Sequence, residues 1–250
     1  MKTFEHYRDE AEDWSLKGWD FSDLTARWHE SAPHWDYRTL VIDLLNQANA
    51  VLDMGTGGGE FLASLPNLPK DVSATEAWPP NVTVARDRLT PLGIDVSQIQ
   101  DDDLLPYPDN RFDLVINRHE SFDPTEVFRV LKPGGRFITQ QVGARDNREI
   151  NDRLMDTPQL SFEPWEADHA GALLEKAGFA VTRREEDFPA TRFLDIGALM
   201  LYLKAIPWQI PDFSIASYEK ALVELHHHIE QTGGFNTKAH RFLLVAKKGL

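Results

Sequence analysis

The chain has 250 residues, 42% hydrophobic and 26% charged, enough for one α/β domain with a sizeable core or for two small domains. It contains no cysteine, which excludes disulfides, thiolate metal sites and thiol nucleophiles. The net charge of −14, with no cluster of Lys and Arg beyond Arg183-Arg184, disfavours a nucleic-acid partner. No apolar run approaches the roughly 18 residues of a membrane span, and the first ten residues lack the apolar core of a signal peptide. A cytoplasmic protein with no membrane partner is expected.

Residues 1–36 are polar, acidic and rich in aromatic rings: Phe4, Tyr7, Trp14, Trp19, Phe21, Trp28 and Trp35. Short helices are predicted over 10–14 and 21–28. A better helix follows over 36–47, with Leu40, Val41, Leu44 and Leu45 at helical spacing. Strands and helices then alternate. Strands are predicted over 50–54, 71–76, 96–100, 112–117 and 136–142, and helices over 61–65, 82–89 and 125–131. The run Phe112-Asp-Leu-Val-Ile-Asn117 reads as a buried strand. Helices over 149–155 and 166–177, a strand over 179–184, helices over 193–205 and 217–231 and a last strand over 240–247 complete the chain. This order predicts a doubly wound, Rossmann-like sheet of seven strands, mostly parallel, with an antiparallel last strand.

The most informative stretch is Val51-Leu-Asp-Met-Gly-Thr-Gly-Gly-Gly-Glu-Phe61, a strand, a glycine turn and a helix start. Such a turn lets a ligand lie against the main chain, with the first helical N–H groups facing it. A dinucleotide fingerprint requires glycine at the sixth position of G-x-G-x-x-G, but position 60 is Glu60. Asp53 and Glu60 would repel a pyrophosphate and suit a ligand with a cationic amino-acid end. Glu76 ends the second strand, where an acid accepts from ribose hydroxyls. Asp101-Asp-Asp-Leu-Leu-Pro-Tyr-Pro-Asp109 precedes Phe112-Asp-Leu-Val115, and Phe128-Arg-Val-Leu-Lys-Pro-Gly-Gly135 precedes the fifth strand.

In this order and spacing, over about residues 50–142, these motifs resemble the class I S-adenosylmethionine-dependent methyltransferases, in the broad group that carries L-P-x-P-D. The resemblance implies S-adenosylmethionine as cofactor. Asp53, Gly55, Thr56, Gly57 and Gly59 would hold its methionine end and Glu76 its ribose. Asp101 and the Asp102 N–H would read adenine, with Leu104 on one ring face and Ala77 or Trp78 on the other. Asn117, at the end of the fourth strand, would complete the cofactor site. Without cysteine, methylation through a covalent thiol adduct and radical methylation on an iron–sulfur cluster are excluded.

In-line displacement of the methyl group needs mainly alignment. Where the acceptor must lose a proton, His119, oriented by Glu120, is the candidate base, and Gln140 and Gln141 are candidate walls of the acceptor pocket. The N-P-P-Y type motif of amino-group methyltransferases is absent at Asn117-Arg-His-Glu120. His226-His-His228 cannot chelate one ion from one helix face, so no metal is expected. The expected organisation is one domain: an aromatic cap (1–36), a cofactor-binding core (37–184), a substrate-cap insertion (185–235) and the last strand (236–250). The expected activity is methyl transfer to oxygen or nitrogen of a small molecule. An RNA methyltransferase, a catalytically silent S-adenosylmethionine-binding subunit or sensor, and a nicotinamide-dependent oxidoreductase are the alternatives. The motifs leave the acceptor and the oligomeric state unspecified.

Overall fold

The computed structural model describes residues 2–15, 24–100, 104–158 and 160–249. The expectations for Asp101 and Asp102, and for the start of the 21–28 helix, lie outside the described residues. In chain order the elements are α1 (Phe4–Asp13), β1 (Trp28–Glu30), α2 (Tyr37–Leu45), β2 (Ala50–Met54), α3 (Glu60–Ala63), β3 (Asp71–Glu76), α4 (Pro79–Leu89), β4 (Asp95–Gln98), β5 (Phe112–Arg118) and α5 (Pro124–Val130). There follow β6 (Leu131–Val142), α6 (Arg148–Leu154), α7 (Ala167–Lys176), β7 (Phe179–Asp187), β8 (Ala190–Phe193), α8 (Ile196–Ala205), α9 (Glu219–Thr232), β9 (Phe235–Lys238) and β10 (Arg241–Lys248). They divide into two compact units.

The larger unit comprises His34–Val142, Trp165–Glu186 and Arg241–Leu250. Its sheet has seven strands in the order β4-β3-β2-β5-β6-β10-β7, as the alternation of elements implied. β2 pairs in parallel with β3 and β5, β5 with β6, and β10 runs antiparallel to β6. Successive side chains leave opposite faces of a strand, and two cores result. Leu52, Met54, Val115, Phe137, Phe242 and Leu244 pack with residues of α5 and α7. Val51, Leu114, Ile116, Ile138 and Leu243 pack with residues of α2, α3 and α4. Helix starts are set by side chains: Asp36 accepts from the Thr39 N–H (3.2 Å) before α2, and Asp123 from the Glu126 N–H (2.8 Å) before α5. The parallel register brings the C-terminal ends of β2, β3 and β5 to one edge.

The smaller unit comprises Met1–Pro33, Gly143–Pro164 and Asp187–His240. Segments near the two expected caps thus fall together, joined by 143–164, and have a core of their own around Phe193, Leu199, Tyr202, Leu203, Leu222 and Leu225. Its three-stranded sheet, β1-β8-β9, was not foreseen. Trp28, placed in a helix by sequence, starts β1. The predicted helix over 193–205 begins only at Ile196, because Thr191 and Phe193 alternate with exposed Ala190 and Arg192 as a strand does, and Asp195 caps the helix that follows (2.8 Å to the Ala198 N–H). A buried polar knot ties the segments together. Asn147 Nδ2 donates to the Tyr202 hydroxyl (2.9 Å), Thr237 donates to Asn147 Oδ1 (2.6 Å), and Gln209 Nε2 donates to Asn151 Oδ1 (2.6 Å). His226, half of the rejected metal pair, is buried beside the Phe4 and Tyr7 rings (centroids 6.1 and 5.9 Å).

Phe137 is fully buried, with the Phe122 ring edge-on at 4.9 Å. Phe137→Ala is expected to lower stability by about 3–5 kcal/mol in urea denaturation, since the strand ladders on both sides prevent collapse into the void. A loss below about 1 kcal/mol would show that the sheet relaxes around it.

Candidate functional site

The glycine turn after β2 folds as its sequence requires. Gly55 and Gly57 have φ of 66° and 62°, the left-handed region that side chains resist. A Cβ on Gly55 would overlap the Glu120 side chain, whereas one on Gly57 would meet nothing within 4 Å, so the turn is open at that point. Thr56 N–H donates to the Thr75 carbonyl (2.9 Å), which pins the turn to β3.

Two acids frame the turn. Asp53 is 5% exposed and accepts from the Thr56 hydroxyl (2.7 Å). Glu76 is 4% exposed and accepts from the N–H groups of Gly57 (2.7 Å) and Trp78 (2.8 Å). Burial pushes the Asp53 carboxyl up to about 7; the Thr56 hydroxyl and the Arg118 charge oppose this, and the Glu76 charge adds to it. Trp78 stands before α4 with 39% of its surface exposed; Ala77 packs at the edge of the α5 and α7 core. Leu104 is 74% exposed.

The loop that follows the undescribed residues 101–103 is held by α5. Leu105 N–H donates to Glu126 (2.8 Å), and Arg129 donates to the Leu105 carbonyl (3.1 Å), the Tyr107 carbonyl (2.7 Å) and Asp109 (2.8 Å). The arginine of Arg129-Val-Leu-Lys-Pro-Gly-Gly135 is thus the anchor of the Leu105-Pro-Tyr-Pro-Asp109 stretch.

The end of β5 separates into two groups. On one face Asn117 is fully buried, and its Oδ1 accepts from Thr139 (2.8 Å) and Gln141 Nε2 (2.7 Å). Gln141 also donates to the Glu120 carbonyl (2.8 Å). The Asn117 and Gln141 side chains are therefore engaged within the sheet edge. On the other face Trp35 Nε1 donates to Gln140 Oε1 (2.8 Å), and Gln140 Nε2 lies 3.1 Å from His119 Nε2. An indole N–H only donates, which fixes the Gln140 amide with its NH2 toward His119. His119 Nε2 must then accept, and the ring is neutral with its proton on Nδ1. His119 itself has φ of 63° and donates its N–H to the Gln140 carbonyl (2.8 Å). The residue keeps an open surface, yet the chain packed around its ring, together with Arg241 and Arg118, pushes its pKa down to about 3.

Sequence reading singled out neither Tyr37 nor Arg118. Tyr37 is buried and donates to the Asn117 carbonyl (2.8 Å), and Arg118 lies over the Phe61 ring, 4.8 Å from its centroid. Tyr37 opens α2, far away in sequence from the end of β5, so spacing alone carried no signal for it. Among the described residues no three His, Asp or Glu side chains are grouped to hold a metal, and no helix is long and apolar enough to cross a membrane.

Residues 52–139 match a family described as "Methyltransferase domain". The ubiquinone/menaquinone biosynthesis C-methyltransferase UbiE of Ectopseudomonas mendocina is 30% identical over 143 residues, 52% of this chain and 56% of that protein. The chain thus matches little more than half the length of this relative. Among solved structures, the YcgJ protein of Bacillus subtilis aligns with a TM-score of 0.58 at 19% identity, over 85% of this chain and 98% of that one. The cyclase SpnF aligns at 0.53 and 19%, over 90% of this chain and 86% of that one. These structures share the fold, and the second is named for a reaction other than methyl transfer, so the reaction must be argued from the site.

Because Asp53 holds a proton more tightly folded than unfolded, its contribution to stability is full below about pH 4 and is lost as pH rises through about 7. Asp53→Asn is expected to raise stability against urea by roughly 1–3 kcal/mol above that range, with the gain vanishing toward pH 4. A gain that did not vary with pH would place its source elsewhere than the buried carboxyl.

Proposed function

We propose that this chain, whose residues 52–139 match a methyltransferase domain, is a class I S-adenosylmethionine-dependent methyltransferase that transfers the methyl group of S-adenosylmethionine to a small-molecule acceptor. One observation carries the reading: Asp53 and Glu76, two buried carboxylates on neighbouring parallel strands, flank an open glycine turn and are bonded to it. That donor set fits the cofactor. Glu76 matches the ribose hydroxyls, Asp53 matches the ammonium of the methionine end, and open Gly57 lets the ligand approach the backbone. Gly55, Thr56 and Gly59 shape the turn, Ala77, Trp78 and Leu104 border the adenine side, and Asn117 supports the floor through its sheet contacts. When bound, S-adenosylmethionine supplies an electrophilic methyl group on a sulfonium whose departure leaves a neutral thioether.

The chain's own task is alignment and exclusion of water. With Nε2 accepting from Gln140, the neutral His119 serves the acceptor as a hydrogen-bond donor through Nδ1 rather than as a proton sink. This suits an acceptor that reaches the site already nucleophilic, such as an enolate or phenolate, or an amine. The name of the relatives adds carbon to oxygen and nitrogen as acceptor atom.

Calorimetry on the full chain is expected to show binding of S-adenosylmethionine and S-adenosylhomocysteine and none of NAD. Binding of NAD alone would overturn the reading in favour of a dehydrogenase. In a radiolabelled methyl-transfer assay on a panel of phenols, enolisable carbonyls and amines, His119→Ala is expected to lower turnover about 10- to 100-fold with cofactor affinity unchanged. Unchanged turnover would remove His119 from the mechanism.

A further inference from the structure

Arg118 is the last residue of β5, and the pairs Asp53↔Ile116 and Met54↔Asn117 bring it level with the glycine turn. Side-chain alternation puts it on the same sheet face as Leu114 and Ile116, which is also the face of Val51 and hence of Asp53. Its guanidinium rests on the Phe61 ring, one residue into the helix that the glycines open, and Phe61 in turn leans on Tyr37 (centroids 5.5 Å). The aromatic platform gives the guanidinium a defined plane at little loss of freedom. Arg118 is exposed and, among the described residues, has no salt bridge, although its charge is felt by both Asp53 and Tyr37.

Of the other charges at the turn, the Arg88 guanidinium is engaged by the Gly58 carbonyl and the Glu60 carboxylate, and the rest are negative. Asp53 lies beneath it, and the Glu120 side chain lies against Gly55. They complement an ammonium. An amino-acid end also carries a carboxylate, and with Arg88 already engaged that carboxylate needs a further cation. Arg118 supplies the missing sign with the planar fork that a carboxylate accepts best.

We propose that Arg118 binds the α-carboxylate of the cofactor's amino-acid end, so that Asp53 and Arg118 together select a zwitterionic ligand at the Gly55 turn. The proposal rests on the methyltransferase reading above and adds a binding residue that the glycine motif does not contain. Arg118 acts on the ligand's tail, away from the methyl group, and is a positioning residue for the donor.

Calorimetry with two ligands, S-adenosylmethionine and its decarboxylated form, separates this from a general effect on the site. The wild-type chain is expected to prefer the intact ligand. Arg118→Gln should weaken S-adenosylmethionine by roughly 10- to 100-fold and leave the decarboxylated ligand unchanged, with Arg118→Lys between the two. Retained affinity for the decarboxylated ligand also shows that the variant is folded. Equal losses for both ligands, or no loss for either, would overturn the assignment of Arg118 while leaving the methyltransferase reading intact. A wild-type chain that binds neither ligand would overturn that reading itself.

Discussion

Two like charges buried one strand apart are the constraint around which the larger unit is built. Asp53 and Glu76 each lie almost wholly out of solvent, and burying a carboxylate is expensive unless something bonds it. The chain answers with backbone. Gly57 and Trp78 turn their N–H groups onto Glu76, and the Thr56 hydroxyl turns onto Asp53. Those bonds demand the left-handed turn, the turn demands glycine, and glycine leaves the surface bare where a ligand approaches. Asp53 is only partly compensated, as its raised pKa shows. A protein that stored such tension for no purpose would be more stable without it, and a cationic ligand group at this position relieves it.

The same edge of the sheet sorts its polar side chains by face. Asn117, Thr139 and Gln141 satisfy one another on the α5 and α7 side and serve the sheet. Trp35, Gln140 and His119 form a line on the other side, and the donor-only indole at its head decides the direction of every hydrogen bond after it. A histidine whose tautomer is fixed from a distance is a reproducible donor, and the charges of Arg241 and Arg118 disfavour its protonation.

Much of the larger unit was legible because its signals are local. The strand over Asp71–Glu76 and the helices predicted over 36–47 and 125–131 follow from residues a few positions apart. Asp53 and Glu76 could be placed at the ends of adjacent strands by spacing alone. Arg129 was legible as part of a motif but not as an anchor, because its partners at Leu105 and Tyr107 are 24 and 22 positions away. The three-stranded sheet escaped notice for two reasons. Strands of three and four residues are too short to show a period of two, and β1 and β8 join residues as far apart as Trp28 and Phe193. Arg118 reads as a solvated end of an apolar strand until Phe61 is seen beneath it.

The position of β10 bears on how the chain is made. β10 is the last strand in sequence, yet it lies inside the sheet, between β6 and β7. During synthesis β6 therefore emerges with one edge open, and β7 emerges with no partner strand at all. Both wait until residues near Arg241 to Lys248 leave the ribosome. An open edge is a template for pairing with another chain. The interval between β7 and β10 is filled by β8, α8, α9 and β9, which belong to the smaller unit and close among themselves. Only two residues separate β9 from β10, so the smaller unit and the larger sheet are completed almost together, as the inserted strand seals two edges at once.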